Sequence, residues 1–149
     1  MKKTVTPLRS LCAALAALVL LVALAVPAFA AANGFADLYY RMNDNAQVLT
    51  EDENSELEAS LEELSVRQSF DVVIVTIDSL ESEGYTSMEE YADDTYDYCQ
   101  FGYGADRDGV LLLVSTGDRK WHISTCGYGI TAFTDAGIQY LGEQMTPDM

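Results

Sequence analysis

Four aspartates fall at loop positions where carboxylate oxygens could meet a hard cation: Asp44, Asp106, Asp108 and Asp135. Calcium takes about six to eight oxygen ligands and magnesium about six, from carboxylates, backbone carbonyls and water. Asp106 and Asp108 are two residues apart, a spacing by which loop carboxylates and carbonyls converge on one ion. Asp135 opens a helix after the Gly127-Tyr128-Gly129 loop and could approach from the other side. Each aspartate also has a plainer role. Asp44 can form a turn, Asp108 can partner Gly109 in one, and Asp135 can complement a helix dipole. In a chain with 24 acidic residues, composition alone brings some carboxylates together.

Other chemistries find fewer of their parts. A hydrolytic triad needs a nucleophile, a base and an orienting group in contact. The single histidine, His122, lies between Trp121 and Ile123 in a strand-like run, and no Gly-x-Ser-x-Gly surrounds any serine. Cys126 beside Gly127 is a thiol without a positioned histidine. Zinc is poorly served by one histidine and the separated Cys99 and Cys126. Neither Gly102-Tyr103-Gly104 nor Gly127-Tyr128-Gly129 continues into Gly-Lys-Ser/Thr, so a P-loop is absent. These triplets serve tight turns. Arg107 and Arg119 are cations beside the loops that could hold a phosphate ester or simply be solvated.

The elements that must position these residues follow from capping and periodicity. Thr50-Glu51-Asp52-Glu53 is a capping box, and Leu57, Leu61 and Leu64 then recur at helical spacing. Phe70 to Ile77 contains a VVIV run and predicts a buried strand. Ser87-Met88-Glu89-Glu90 opens a second helix to about Cys99, with Met88, Tyr91, Ala92, Thr95 and Tyr98 as its inner stripe. Val110 to Val114 reads as a strand buried on both faces. Ser115-Thr116-Gly117-Asp118 is a turn in which Gly117 offers a positive φ. The return run from Lys120 to Cys126 alternates, as a half-covered strand near a sheet edge does. Thr134 caps a third helix that ends near Met145. Strand, helix, strand makes a parallel βαβ unit with a right-handed crossover expected. The antiparallel return strand makes the sheet mixed. Asn43 to Ala46 reads as a turn, and the hairpin geometry brings the Asp106–Asp108 and Gly127–Gly129 loops together.

The first thirty residues read as a Sec-type signal peptide. Lys2, Lys3 and Arg9 precede an apolar run from Leu11 to Val26, and Ala28-Phe29-Ala30 is a small-x-small cleavage pattern. The same run is long enough to serve as an uncleaved anchor. Cleavage after Ala30 leaves 119 residues, a connector over 31–42 followed by one domain. It removes three of eight basic residues and no acid, taking the net charge from −16 to −19. Such a surface repels nucleic acid, anionic lipid and free phosphate esters, and favours cations or cationic partners. Cys99 and Cys126 remain, either as a disulfide allowed outside the cytoplasm or as two buried thiols.

The run from Asn43 to Thr50, VVIVTIDS, YADDTYDY, DGVLLLVSTGDRKWHIS, GYGI and FTDAG stand in one order along the chain. Together they resemble the TPM domain family over about Asp44 to Leu141. The resemblance implies an extracytoplasmic or membrane-tethered three-layer α/β/α sandwich, with a domain over 43–149. Some members are described as metal-binding and some as acid phosphatases. Two departures stand out: Arg107-Asp108-Gly109 replaces the family's Asp-Asn-Gly, and family chains continue past the proline matching Pro147. The chain is thus expected to be a fragment whose parent could carry a membrane anchor. The functional expectation is a binding or assembly module for envelope or membrane proteins, holding Ca²⁺ or Mg²⁺ at the hairpin loops. A metal-dependent acid phosphatase at the same loops is the alternative.

Overall fold

The computed structural model describes residues 40–145. The signal peptide, its cleavage position, residues 31–39 of the connector and the segment around Pro147 lie outside the described residues. The elements run β1 (Met42–Asp44), α1 (Glu51–Gln68), β2 (Asp71–Ile77), α2 (Leu80–Glu83), α3 (Met88–Tyr98), β3 (Gly109–Ser115), β4 (Lys120–Cys126), α4 (Gly129–Ala132) and α5 (Asp135–Met145).

The capping box forms as its residues dictate. The Thr50 hydroxyl accepts the Glu53 amide at 3.3 Å, and the Glu53 carboxylate accepts the Thr50 amide at 2.9 Å. Helix α1 buries Leu61 and Ser65 and ends at Ser69 in a left-handed conformation (φ 51°). The Ser65 hydroxyl then accepts the Val72 amide at 3.0 Å, fastening the helix to β2. Ser87 caps α3 by accepting the Glu90 amide at 3.3 Å. The buried stripe of α3 is Tyr91, Ala92, Thr95 and Tyr96; Tyr98, expected inside, is 40% exposed. Tyr96 takes the inner place, with its hydroxyl against Gly109, where a Cβ would collide with it.

The sheet order is β1-β2-β3-β4. β1, β2 and β3 are parallel, and β4 returns antiparallel to β3, with Gly109 opposite Cys126 and Ser115 opposite Lys120. Side chains alternate between faces. Val73, Val75, Ile77, Leu111 and Leu113 are fully buried on one face. Ser124, paired with Leu111, donates from that face to Asp93 of α3 at 2.5 Å. On the opposite face Val72 shares a pocket with Leu64 of α1, and the Trp121 ring lies against Gly142 of α5. Helices therefore cover both faces in an α/β/α sandwich. The crossovers from β1 to β2 and from β2 to β3 step the same way across the sheet, yet their helices lie on opposite faces. They turn in opposite senses, so one departs from the right-handed rule.

Two more local readings differ from the structure, and one short helix has no signal in the sequence reading. Asn43 and Asp44, read as a turn, belong to β1, whose pairing with Ile74 to Thr76 supplies what a three-residue run with two polar residues lacks. Gly117 is needed for close approach rather than for positive φ: a Cβ there would come within 2.6 Å of the Asp78 carbonyl, and Arg119 takes the left-handed conformation. The short α2, capped by Ser79 and closed by Gly84, has too few residues to show a period.

Asp71 binds the sheet to its surroundings. It is buried, and its carboxylate accepts Arg41 Nε at 2.7 Å and the Gly102 amide at 2.8 Å. Removing it with Asp71→Ala leaves Arg41 Nε and a loop amide without their acceptor, while Arg41 keeps Glu62. The expected loss is about 3 kcal/mol in denaturant-unfolding free energy.

Candidate functional site

At the amino end of β3 the chain forms the paired loops that the hairpin requires. Asp108 bridges to Tyr103: its amide donates to the Tyr103 carbonyl at 3.0 Å, and its own carbonyl accepts Tyr103 and Asp71 amides, each at 2.9 Å. With the backbone so fixed, the Asp108 carboxylate reaches across and accepts the Tyr128 amide at 2.6 Å. Gly127 has φ 57°, and a Cβ on it would lie 2.7 Å from the Asp106 carbonyl and against the Asp108 carboxylate. Here the requirement for glycine is both conformational and steric. Acidic loop and glycine loop are thus in contact.

Arg107 beside them is not free to hold a substrate. Its guanidinium donates to the Tyr96 carbonyl at 2.7 Å, the Phe101 carbonyl at 2.9 Å and Asp97 at 2.9 Å. It also stacks over the Tyr96 ring at 5.1 Å. It closes the end of α3 and takes a left-handed backbone (φ 54°) to do so. Arg119 is exposed in the β3–β4 turn, at the other end of the hairpin.

Asp44 lies away from this loop pair. It ends β1 opposite Thr76, whereas Asp108 precedes Gly109, the partner of Asp71. Five residues of β2 separate the two levels, about 17 Å along the strand. Asp44 accepts Thr76 Oγ1 at 2.5 Å and the amides of Leu49 and Val48 at 2.8 and 3.2 Å. Burial acts to raise its pKa, but these three donors together hold it below the usual carboxylate value. Asp118 at the same end accepts the Leu80 amide and the Ser115 hydroxyl at 2.8 and 2.7 Å, which lower its pKa.

Asp135 lines a third place, a groove of about 820 Å³ along β4 between α3 and α5. The loop pair instead borders a pocket of about 480 Å³ walled by Leu64, Phe70, Val72, Asp108, Tyr128 and Phe133. Among the described residues, no three His, Cys, Asp or Glu side chains are grouped so that they could hold a metal ion. A cation at Asp108 would therefore take backbone carbonyls and water for most of its shell. His122 lines the groove, and the nearby Ser124 hydroxyl donates to Asp93. Cys99 and Cys126 are both free thiols, and burial pushes Cys99 up to about 11. No helix among the described residues is long and apolar enough to cross a membrane.

The profile of the TPM domain matches residues 42–149. The chain belongs to the TPM-domain family. The TPM fold is seen again in two solved structures. One is the N-terminal domain of a protein from P. gingivalis, 19% identical with a TM-score of 0.61, covering 77% of this chain and 73% of that one. The other is the N-terminal domain of the cg2496 protein from Corynebacterium glutamicum, 12% identical with a TM-score of 0.51, covering 70% of this chain and 62% of that one. No curated protein matches the chain. At these identities the likeness concerns the fold. Within this TPM domain, the residues that sequence reasoning did not single out are the groove carboxylates Glu89, Asp93 and Glu143. Glu89 and Asp93 share a helix face by their i,i+4 spacing, but only the sheet order sets that face beside β4.

Two measurements check these assignments. The folded pKa of Asp44 is depressed, so its stabilising effect is complete above the unfolded value and is lost as pH falls through the folded one. Melting temperature should therefore fall less steeply for Asp44→Asn than for the wild type from about pH 4 downward. Gly127→Ala should push the glycine loop off Asp108, exposing the Tyr128 amide to faster hydrogen exchange and costing about 1–3 kcal/mol of stability.

Proposed function

We propose that the chain is an extracytoplasmic TPM binding module that engages proteins of the cell envelope, with Ca²⁺ or Mg²⁺ docking at the loops beside the β3–β4 hairpin. The observation supporting the ion is the meeting of Asp108, the Asp106 carbonyl and the glycine loop. Asp108 Oδ1 is occupied by the Tyr128 amide, and Oδ2 is left for an ion. Asp135 lines the groove along β4 instead, and Asp44 would hold β1 rather than the ion. The extracytoplasmic setting is supported by the basic n-region, apolar run and Ala28-Phe29-Ala30 of the leader.

Exposed apolar groups support the binding role. Tyr128 and Ile130 stand 65% and 64% exposed beside the apolar pocket at this end of the sheet. Catalysis is less well supplied: a phosphate ester meets a chain of net charge −16 and needs a bound cation to approach it.

The test is a Ca²⁺ and Mg²⁺ titration of the metal-stripped chain, followed by melting temperature, with Asp108→Asn and Asp135→Asn alongside. An ion that binds only the folded state stabilises it by about 2.7 kcal/mol at a hundredfold excess over Kd. A saturable shift lost in Asp108→Asn is expected. A drift that follows ionic strength alone in all three proteins would remove the ion from this reading. Metal-dependent turnover of a chromogenic phosphate ester, abolished by Asp108→Ala, would instead favour the acid phosphatase.

A further inference from the structure

The strand β4 is the last in the sheet order, so among the described residues its outer edge has no neighbouring strand. Every second residue of such a strand points its N–H and C=O away from the sheet. Proteins commonly shield a long edge with charge, bulges or a covering segment. Here the seven-residue edge opens instead into the 820 Å³ groove, with α3 above one face and α5 below the other. The opposite edge, β1, is only three residues long.

The walls of the groove differ in character. On the α3 side, His122 and Ser124 lie with the carboxylates of Glu89 and Asp93. On the α5 side, Trp121, Ile123 and Ile138 form an apolar floor rimmed by Asp135 and Glu143. Among the described residues, the lining thus carries four carboxylates and no lysine or arginine. A strand laid along β4 would send alternate side chains to these two walls.

We propose that the β4 edge is a docking site for an extended, cationic segment of a partner protein, which adds to the sheet as a fifth strand. Main-chain hydrogen bonds to β4 supply a sequence-independent part of the affinity, and alternation supplies selectivity. Basic side chains of the segment face Glu89 and Asp93, and apolar ones face Trp121 and Ile123. A second copy of this chain fits less well, because a β4-to-β4 pairing sets four carboxylates against four more. The length of β4 suits a segment of about seven residues. This deepens the binding-module reading by naming a partner class, and it does not rest on the cation. A failed metal titration leaves the groove untouched, and a failed peptide titration leaves the Asp108 loops untouched.

Trp121 is the only tryptophan in the chain, so intrinsic fluorescence reports on the groove. The experiment titrates the full chain at low salt with acetylated, amidated Lys-Val-Lys-Val-Lys-Val-Lys. A saturable fluorescence change is expected, weakening as salt rises. N-methylation of the peptide at one alternating set of amides should weaken binding about tenfold or more, and the other set should not, since only one set faces β4. Glu89→Lys combined with Glu143→Lys, both at exposed helix positions, should also weaken it about tenfold. Equal binding of the two N-methylated sets would overturn strand addition. Equal binding of Glu-Val-Glu-Val-Glu-Val-Glu would overturn the charge selectivity. No saturable binding of the lysine peptide, or a concentration-dependent dimer through β4 in its place, would overturn the proposal.

Discussion

A single buried carboxylate fixes the end of the sheet at which the hairpin loops meet. Asp71 Oδ1 takes Arg41, just before β1, and Oδ2 takes the amide of Gly102, after α3. Its own amide donates to the Asp108 carbonyl at 2.9 Å. Burying an unpaired carboxylate costs several kcal/mol, so this arrangement persists only with its cation and its amide donor in place. Arg41 also pairs with Glu62 of α1, which extends the link to the helix on the other side of the chain turn. Position 109 must then be glycine, because a Cβ would lie 2.8 Å from the Asp71 carbonyl. The Asp108 loop inherits its placement from this node.

The charge of the chain is put to two different uses. Asp44, Asp71 and Asp118 are committed to amide, hydroxyl or guanidinium donors and act as fasteners between segments. Glu89, Asp93, Asp135 and Glu143 stand exposed around a groove, where an approaching cation would relieve their mutual repulsion. Asp108 lies between these cases, with one oxygen spent on the Tyr128 amide. The distinction is one of exposure rather than of donors alone, since Asp93 accepts the Ser124 hydroxyl at 2.5 Å, and net charge says nothing about it.

The sandwich separates its candidate sites by construction. Connections of the parallel strands leave toward opposite faces after β1 and β2, and Asp44 at the end of β1 and Asp118 in the β3–β4 turn both lie at the carboxyl end of the parallel strands. The loop pair of Asp108 and Gly127 is at the other end, and the groove lies along the edge. Arg107, stacked on Tyr96 and bound to the end of α3, shows that a cation beside an acidic loop can be wholly structural.

The sequence by itself determined the elements whose signals are local. The capping boxes at Thr50 and Ser87 act within three residues, and Leu57, Leu61 and Leu64 show their period within two turns. The apolar runs of β2 and β3, with a turn before an alternating β4, specify a parallel pair and a hairpin. That hairpin brings Asp108 to Gly127 in any sheet that contains it. Only the tertiary structure decided what depends on long-range pairing. Met42 to Asp44 is a strand because Ile74 to Thr76 lie beside it, which moves Asp44 away from Asp108. The choice of Tyr96 over Tyr98 depends on how α3 sits over Gly109. The groove exists because β4 is the edge and α3 and α5 take opposite faces. Capping and periodicity are energies between neighbours in the chain, whereas strand order and face are set by contacts between residues tens of positions apart.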